Sequence, residues 1–301
     1  MEIAIMLEGQ NGLNWPRFQR IAKAVDDLGF AGLFRSDHFT NADAPDIDSL
    51  ELWVSLTWLA SHTKRIEFGP MVTPVSFRNP VFTARMGKDV DDLSGGRLVL
   101  GVGAGWQVRE HRNFGFELLE VGPRMDRFEE GLEVISRLLR SDEPVDYQGH
   151  YYQLQDAILL PRPQRPGGPR LLIGGNGPQR TLPLAARFAE EWNGVFIPAS
   201  RYAELNQRLT ELIAREGRDP KQVRRSIMTN VLFGRDDAEV KHKVGDRDRE
   251  ALQTRGILIG TQSALQDQLG KLAEAGVQRA LLQWMDLDDI DGLEAFAQAV
   301  L

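Results

Sequence analysis

Short apolar runs alternate with longer amphipathic stretches from one end of this 301-residue chain to the other. That alternation marks parallel β/α architecture, in which each strand is buried on both faces and each helix covers the sheet with one apolar stripe. Strands are expected near 2–7, 30–35, 66–72, 97–102, 170–174, 192–197, 226–233 and 279–284. Helical patterns lie near 15–28, 48–62, 80–93, 123–140, 178–189, 200–216, 236–252 and 262–275, with a last one near 289–300. Eight strand-helix units fit a closed (β/α)8 TIM barrel better than an open sheet. The chain length permits two ordinary domains or one barrel, and eight such units along the chain favour a single domain over 1–301.

Two units share punctuation: a helical stretch ends at Gly29 or Gly276 and a buried run follows at once, as a left-handed glycine C-cap allows. One region breaks the rhythm. Residues 142–169 include Pro144, Tyr151-Tyr152 and the run Pro161-Arg162-Pro163-Gln164-Arg165-Pro166-Gly167-Gly168-Pro169, and proline removes the amide donor a helix needs. A short insertion is expected there, between the fourth helix and the fifth strand, with a small hairpin around Gly149. It is too short to build an independent core.

Composition narrows the chemistry. With 36 basic and 43 acidic side chains the net charge is −7, and no basic run marks a nucleic-acid footprint. The chain has no cysteine, which excludes thiolate nucleophiles and thiolate metal sites, so redox chemistry must come from a bound cofactor. Five histidines, at 38, 62, 111, 150 and 242, lack metal-site spacing, and no metal is expected. The N-terminus enters a strand-like run without signal-peptide features, and no apolar stretch approaches the roughly 20 residues needed to cross a bilayer. No membrane partner and a cytoplasmic location are the default expectations.

Active sites of parallel barrels lie at the C-terminal strand ends. The second strand ends in Ser36-Asp37-His38-Phe39, where a histidine can exchange protons and a neighbouring carboxylate can orient it. Equally, Asp37 can be a cap and His38 a packed side chain. The third strand ends in Gly69-Pro70-Met71-Val72-Thr73-Pro74, whose glycine and prolines suggest a bulge or a plain turn. After the fourth strand, Gly101-Val102-Gly103-Ala104-Gly105-Trp106 permits close backbone approach but fails as a dinucleotide fingerprint, because Trp106 stands at the third glycine. Gly174-Gly175-Asn176-Gly177, after the fifth strand, opens a helix and is the clearest anion candidate, with Arg180 or Thr181 as added donors.

Taken together, Thr73-Pro74-Val75-Ser76-Phe77-Arg78-Asn79-Pro80 and Asp91 through Trp106 resemble the luciferase-like monooxygenase superfamily, with further likeness at Ser36 to Phe39, Pro161 to Pro166 and Gly174 to Gly177. The Arg-x-Pro segment and the Gly-x-Gly-x-Gly-Trp ending are most similar to the branch that uses the deazaflavin coenzyme F420; another branch uses reduced FMN and oxygen. The resemblance implies a cis peptide at Met71-Val72 against the ring, Asp37 and His38 beside it, and the amides of Gly174, Gly175, Asn176 and Gly177, with Thr181, near the cofactor phosphate. It also implies hydride transfer between the deazaflavin and a small organic substrate, with His38 handling the proton, and a homodimer by family habit. Two departures bear on the substrate pocket: Trp106 and Ala42 stand where sugar-phosphate dehydrogenases of this branch carry an acidic residue and a tryptophan. A ketone, an aldehyde or alcohol, or an activated alkene is therefore expected instead. The rival readings are an FMN-dependent monooxygenase and a non-catalytic flavin-binding barrel.

Overall fold

The structure, a computed structural model, describes residues 1–301. Eight parallel strands, here β1 (Glu2–Leu7), β2 (Gly32–Arg35), β3 (Glu67–Pro70), β4 (Val99–Gly103), β5 (Arg170–Gly174), β6 (Glu191–Val195), β7 (Arg224–Phe233) and β8 (Arg279–Gln283), pair in sequence order around a barrel. β1 lies between β2 and β8. The ring nearly closes between β3 and β4, where a single bridge joins Phe68 to Leu98 and a two-residue continuation of β3, Thr73–Pro74, pairs with Val102 and Gly103. The expected (β/α)8 architecture is therefore the observed one.

Alternation along each strand divides the core. Ala4, Met6, Phe34, Met71, Val99, Leu172, Met228 and Leu281 point inward and fill the lumen. A larger apolar shell, including Ile3, Ile5, Leu33, Phe68, Leu100, Ile173 and Ile227, lies between sheet and helices. Below the lumen, at the N-terminal strand ends, three arginines meet three glutamates. Arg279 bonds Glu2 at 2.9 Å, Glu191 at 3.3 Å and Glu67, while Arg224 and Arg170 also engage Glu67. Arg279 and Glu191 are each only 1% exposed.

Gly29 and Gly276 take φ of 100° and 95°, the left-handed caps expected for them. The insertion contains an antiparallel hairpin, Val145–Gln148 with Gln153–Ala157, whose turn amides at His150, Tyr151 and Tyr152 donate to the Glu130 carboxylate. Three expectations change. The helix predicted over 236–252 is two, Asp237–Val244 and Arg249–Thr254, because Gly245 breaks it at φ 60°. The third strand stops at Pro70 rather than 72. Two elements with weak periodicity were not expected: the helix Val108–Phe114 and a short strand, Leu258–Gly260, added to β7. No helix is long and apolar enough to cross a membrane.

Candidate active site

The break in the third strand forms one wall of the site. The Met71–Val72 peptide is cis, and both side chains line a cavity of about 550 Å³ at the C-terminal mouth of the barrel. The alternating glycines of β4 answer this bulge. A Cβ at Gly101 would lie 2.1 Å from the Pro70 carbonyl oxygen, and one at Gly103 only 2.5 Å from Val72 Cγ2. Gly174 faces the same side chain, its virtual Cβ at 3.4 Å from Val72 Cγ1. The glycine run that failed as a dinucleotide loop thus lets a neighbouring strand press Val72 into the lumen as an apolar ledge.

His38 faces the ledge's cavity from the end of β2. Its Nδ1 lies 3.0 and 3.1 Å from the two carboxylate oxygens of Glu110, and Glu110 also accepts the Phe39 amide at 3.1 Å. Nε2 makes no hydrogen bond within the chain. Burial pushes the imidazole pKa down, but the hydrogen bond and charge of Glu110, with smaller contributions from Glu8 and Asp37, outweigh it and leave the value raised. Trp106 stands edge-on to the imidazole, centroids 5.6 Å apart at 84°, and is 61% exposed at the rim.

A second carboxylate, Glu8, lines the same cavity just past β1. It accepts amide protons from Gln10, at 2.8 Å, and from Gln283; Gln10 in turn accepts the Ser36 hydroxyl at 2.7 Å. The remaining wall is apolar, with Val195, Phe196 and Met228.

The turn after β5 opens onto the cavity through Gly174 and Gly175. The Asn176 side chain clamps the end of β6, donating to the Val195 carbonyl at 2.6 Å and accepting the Val195 amide at 2.9 Å. The backbone amides of Asn176, Gly177, Gln179, Arg180 and Thr181 find no acceptor in the chain, at the start of the helix Thr181–Phe188. Unpaired amides converging at a helix N-terminus suit a phosphate. The apolar ledge and this turn, sharing one cavity, fit a flat ring that carries a phosphate.

The structure therefore brings His38, Met71, Val72, Trp106, Gly174 and Gly175 to one cavity, with Asn176, Gly177 and Thr181 beside it. Three expectations are corrected. Asp37 does not orient His38: it takes the Thr73 hydroxyl at 2.7 Å and a two-pronged bond from Arg78 at 3.0 and 2.7 Å, tying the end of β2 to the exit of β3. Ser36 and His38 line the cavity and Asp37 between them does not, as alternation of an extended chain requires. Ala42 is exposed and contributes nothing to the cavity wall. The Gly175 amide donates to the Asn193 carbonyl at 2.9 Å and so is not free for an anion. Reading of the sequence missed Glu8, Glu110 and Phe196. An acidic residue one position past the first strand was the available signal for Glu8; none marked Glu110.

A family model described as luciferase-like monooxygenase matches residues 1–296. A protein of Amycolatopsis mediterranei named F420-dependent glucose-6-phosphate dehydrogenase is 32% identical over 188 residues, which cover 60% of this chain and 52% of that one. A protein of Streptomyces nodosus subsp. asukaensis named 4-hydroxyprotoasukamycin monooxygenase is 33% identical over 162 residues, covering 54% of this chain and 42% of the relative. The matches thus span about half the length of these curated relatives. Among solved structures, an F420-dependent secondary alcohol dehydrogenase in complex with an F420-acetone adduct superposes with a TM-score of 0.85 at 20% identity, covering 99% of this chain and 98% of the other.

Proposed function

Since this chain belongs to the luciferase-like monooxygenase family, its first 296 residues matching that model, we propose that it is an oxidoreductase that uses the deazaflavin coenzyme F420 on a small organic substrate. The observation that carries this reading is one cavity joining the Met71–Val72 ledge, the glycine turn after β5 and His38. Met71 and Val72 would hold the ring, and the amides of Asn176 and Gly177 with the Thr181 hydroxyl would hold the phosphate. When bound, the deazaflavin supplies a two-electron hydride donor or acceptor.

The chain's own residues then handle the proton. His38 Nε2 is the unpaired imidazole nitrogen at the cavity and gives a proton to a nascent alkoxide or enolate, or removes one from an alcohol in the reverse direction. Val72, Val195, Phe196 and Met228 exclude water around the reacting atoms. The apolar wall and the indole of Trp106 favour an apolar or aromatic ketone, aldehyde or alcohol, or an activated alkene. Similarity to a named monooxygenase favours a second reading, reduced FMN reacting with oxygen. Titrating the purified protein with each cofactor and following fluorescence separates the two. Tighter binding of coenzyme F420 than of FMN is expected; tight FMN binding with no deazaflavin binding would select the monooxygenase.

The neighbouring helices Leu52–His62 and Pro80–Ser94 leave Val54, Phe82 and Leu93 more than half exposed, at 56%, 62% and 54%. Large apolar side chains left exposed on two adjacent helices favour association of two copies. Light scattering should give a dimer for the wild-type protein and a shift towards monomer for Phe82→Glu. A wild-type monomer at micromolar concentration would remove the dimer.

A further inference from the structure

We propose that Glu110 is the positioning residue for His38: it accepts the Nδ1–H hydrogen bond, fixes the ring plane and so confines proton exchange with the cavity to Nε2. The geometry begins with burial. Glu110 is 1% exposed, and its two oxygens are occupied by His38 Nδ1 and the Phe39 amide, so an ionised carboxylate there can only accept. A ring nitrogen facing such an acceptor carries its proton, which leaves the other nitrogen as the one that changes state.

The element that carries Glu110 is tied to the His38 loop at three points, Gln107, Arg109 and Glu110 itself, and to the exit of β3 at a fourth. Gln107, 2% exposed, exchanges two hydrogen bonds with Thr40, at 3.0 and 2.8 Å. Arg109 donates to the Asn41 carbonyl at 3.0 Å and grips Asp46 with two bonds of 2.6 Å. Glu110 follows, and buried His111 bonds Ser76 at 2.8 Å, just beyond the ledge. Helix Val108–Phe114 therefore couples the end of β2 to the exit of β3, with Glu110 as the only charged contact it makes to the imidazole. The other charged groups that act on His38 are Glu8, across the cavity, and Asp37, whose charge Arg78 offsets. Trp106 supplies an uncharged edge.

The consequence for catalysis rests on the proposed oxidoreductase reading, whereas the protonation of His38 does not. Imidazole ¹⁵N spectra of the cofactor-free protein, with His38 assigned by its loss in His38→Gln, test the proposal directly. In the wild type, His38 is expected to show a proton on Nδ1 throughout, to titrate at Nε2, and to have a midpoint above the ordinary value. Glu110→Gln should shift that midpoint down, and Glu110→Asp should restore part of the shift. Gln107→Ala, which loosens the same helix without removing a charge, should leave it in place. An unchanged His38 midpoint in Glu110→Gln, or an equal shift in Gln107→Ala, would overturn the assignment. With coenzyme F420 and a reducible carbonyl, Glu110→Gln should also lower kcat more than it changes KM and move the alkaline limb of the proton-donating direction to lower pH. Loss of that activity in all proteins with the spectra as expected would defeat the functional reading and leave the positioning role standing.

Discussion

His38→Ala should lower turnover by about 10²–10⁴-fold, the range for removing a positioned general acid or base, while coenzyme F420 binds as it does to the wild type. The separation is expected because the ledge at Met71 and Val72 and the free amides of the turn after β5 are built without His38. The imidazole contributes to the cavity wall and to a bond with Glu110, not to the phosphate turn. Stopped-flow measurement of cofactor oxidation at saturating substrate, beside a fluorescence titration of cofactor affinity, checks both halves. A variant that binds the cofactor normally and retains full turnover would remove His38 from the proton path. The substitution also alters stability in a defined pH window. A histidine raised in the folded state contributes stability that is fully present below its unfolded pKa and is lost as pH rises through the folded value. His38→Ala should therefore cost less stability at alkaline than at acidic pH.

The second large effect lies at the opposite end of the barrel. Arg279→Ala is expected to destabilise the fold by about 3–5 kcal/mol, the size seen when one partner of a buried ion pair is removed. Glu191, 1% exposed, would lose its 3.3 Å partner, and Glu67 and Glu2 would each lose a contact. Most of that penalty comes from leaving Glu191 buried with only the 3.8 Å contact to Arg224, rather than from the attraction itself. Hence the double variant Arg279→Leu with Glu191→Leu should recover a measurable part of the loss. Burial alone would raise the Glu67 pKa, but Arg279, Arg170 and Arg224 more than offset it and hold the group below its ordinary value. A carboxylate depressed in the folded state adds stability that is present above its unfolded pKa and is lost as pH falls through the folded one. The Arg279→Ala deficit should therefore narrow in acid. Urea unfolding at several pH values reads both, and a loss under about 1 kcal/mol at neutral pH would show that the floor is not a stability element.

The two regions differ in how far the linear chain announces them. The ledge was legible because its signals are local: glycines spaced two apart on one strand, prolines around a short apolar run on the preceding one, and a resemblance that carried the cis bond at Met71-Val72. The glycine turn after β5 was legible for the same reason, although the loss of the Gly175 amide to Asn193 was not. The sequence places His38 at a strand end, where the structure has it facing the cavity, but does not reveal its partner. Adjacency in sequence suggested Asp37, whereas neighbours in an extended segment point to opposite sides, and the carboxylate that reaches the ring lies 72 residues further on.

What the sequence by itself determined is the order and kind of the elements, since strand and helix periodicities are short-range and glycine caps act within a turn. It also pointed to the three strand ends that share one cavity: His38 after β2, the Met71–Val72 bulge after β3 and the glycine turn after β5. The tertiary structure alone decided which side chains meet across the barrel: Glu110 with His38, Glu8 with Gln283, Arg279 with three glutamates from three other strands or their ends. A closed barrel gathers one or two residues from every strand into each layer, so the partners of a lumen side chain are set by strand register and closure. Neither quantity is written in any single stretch of the chain.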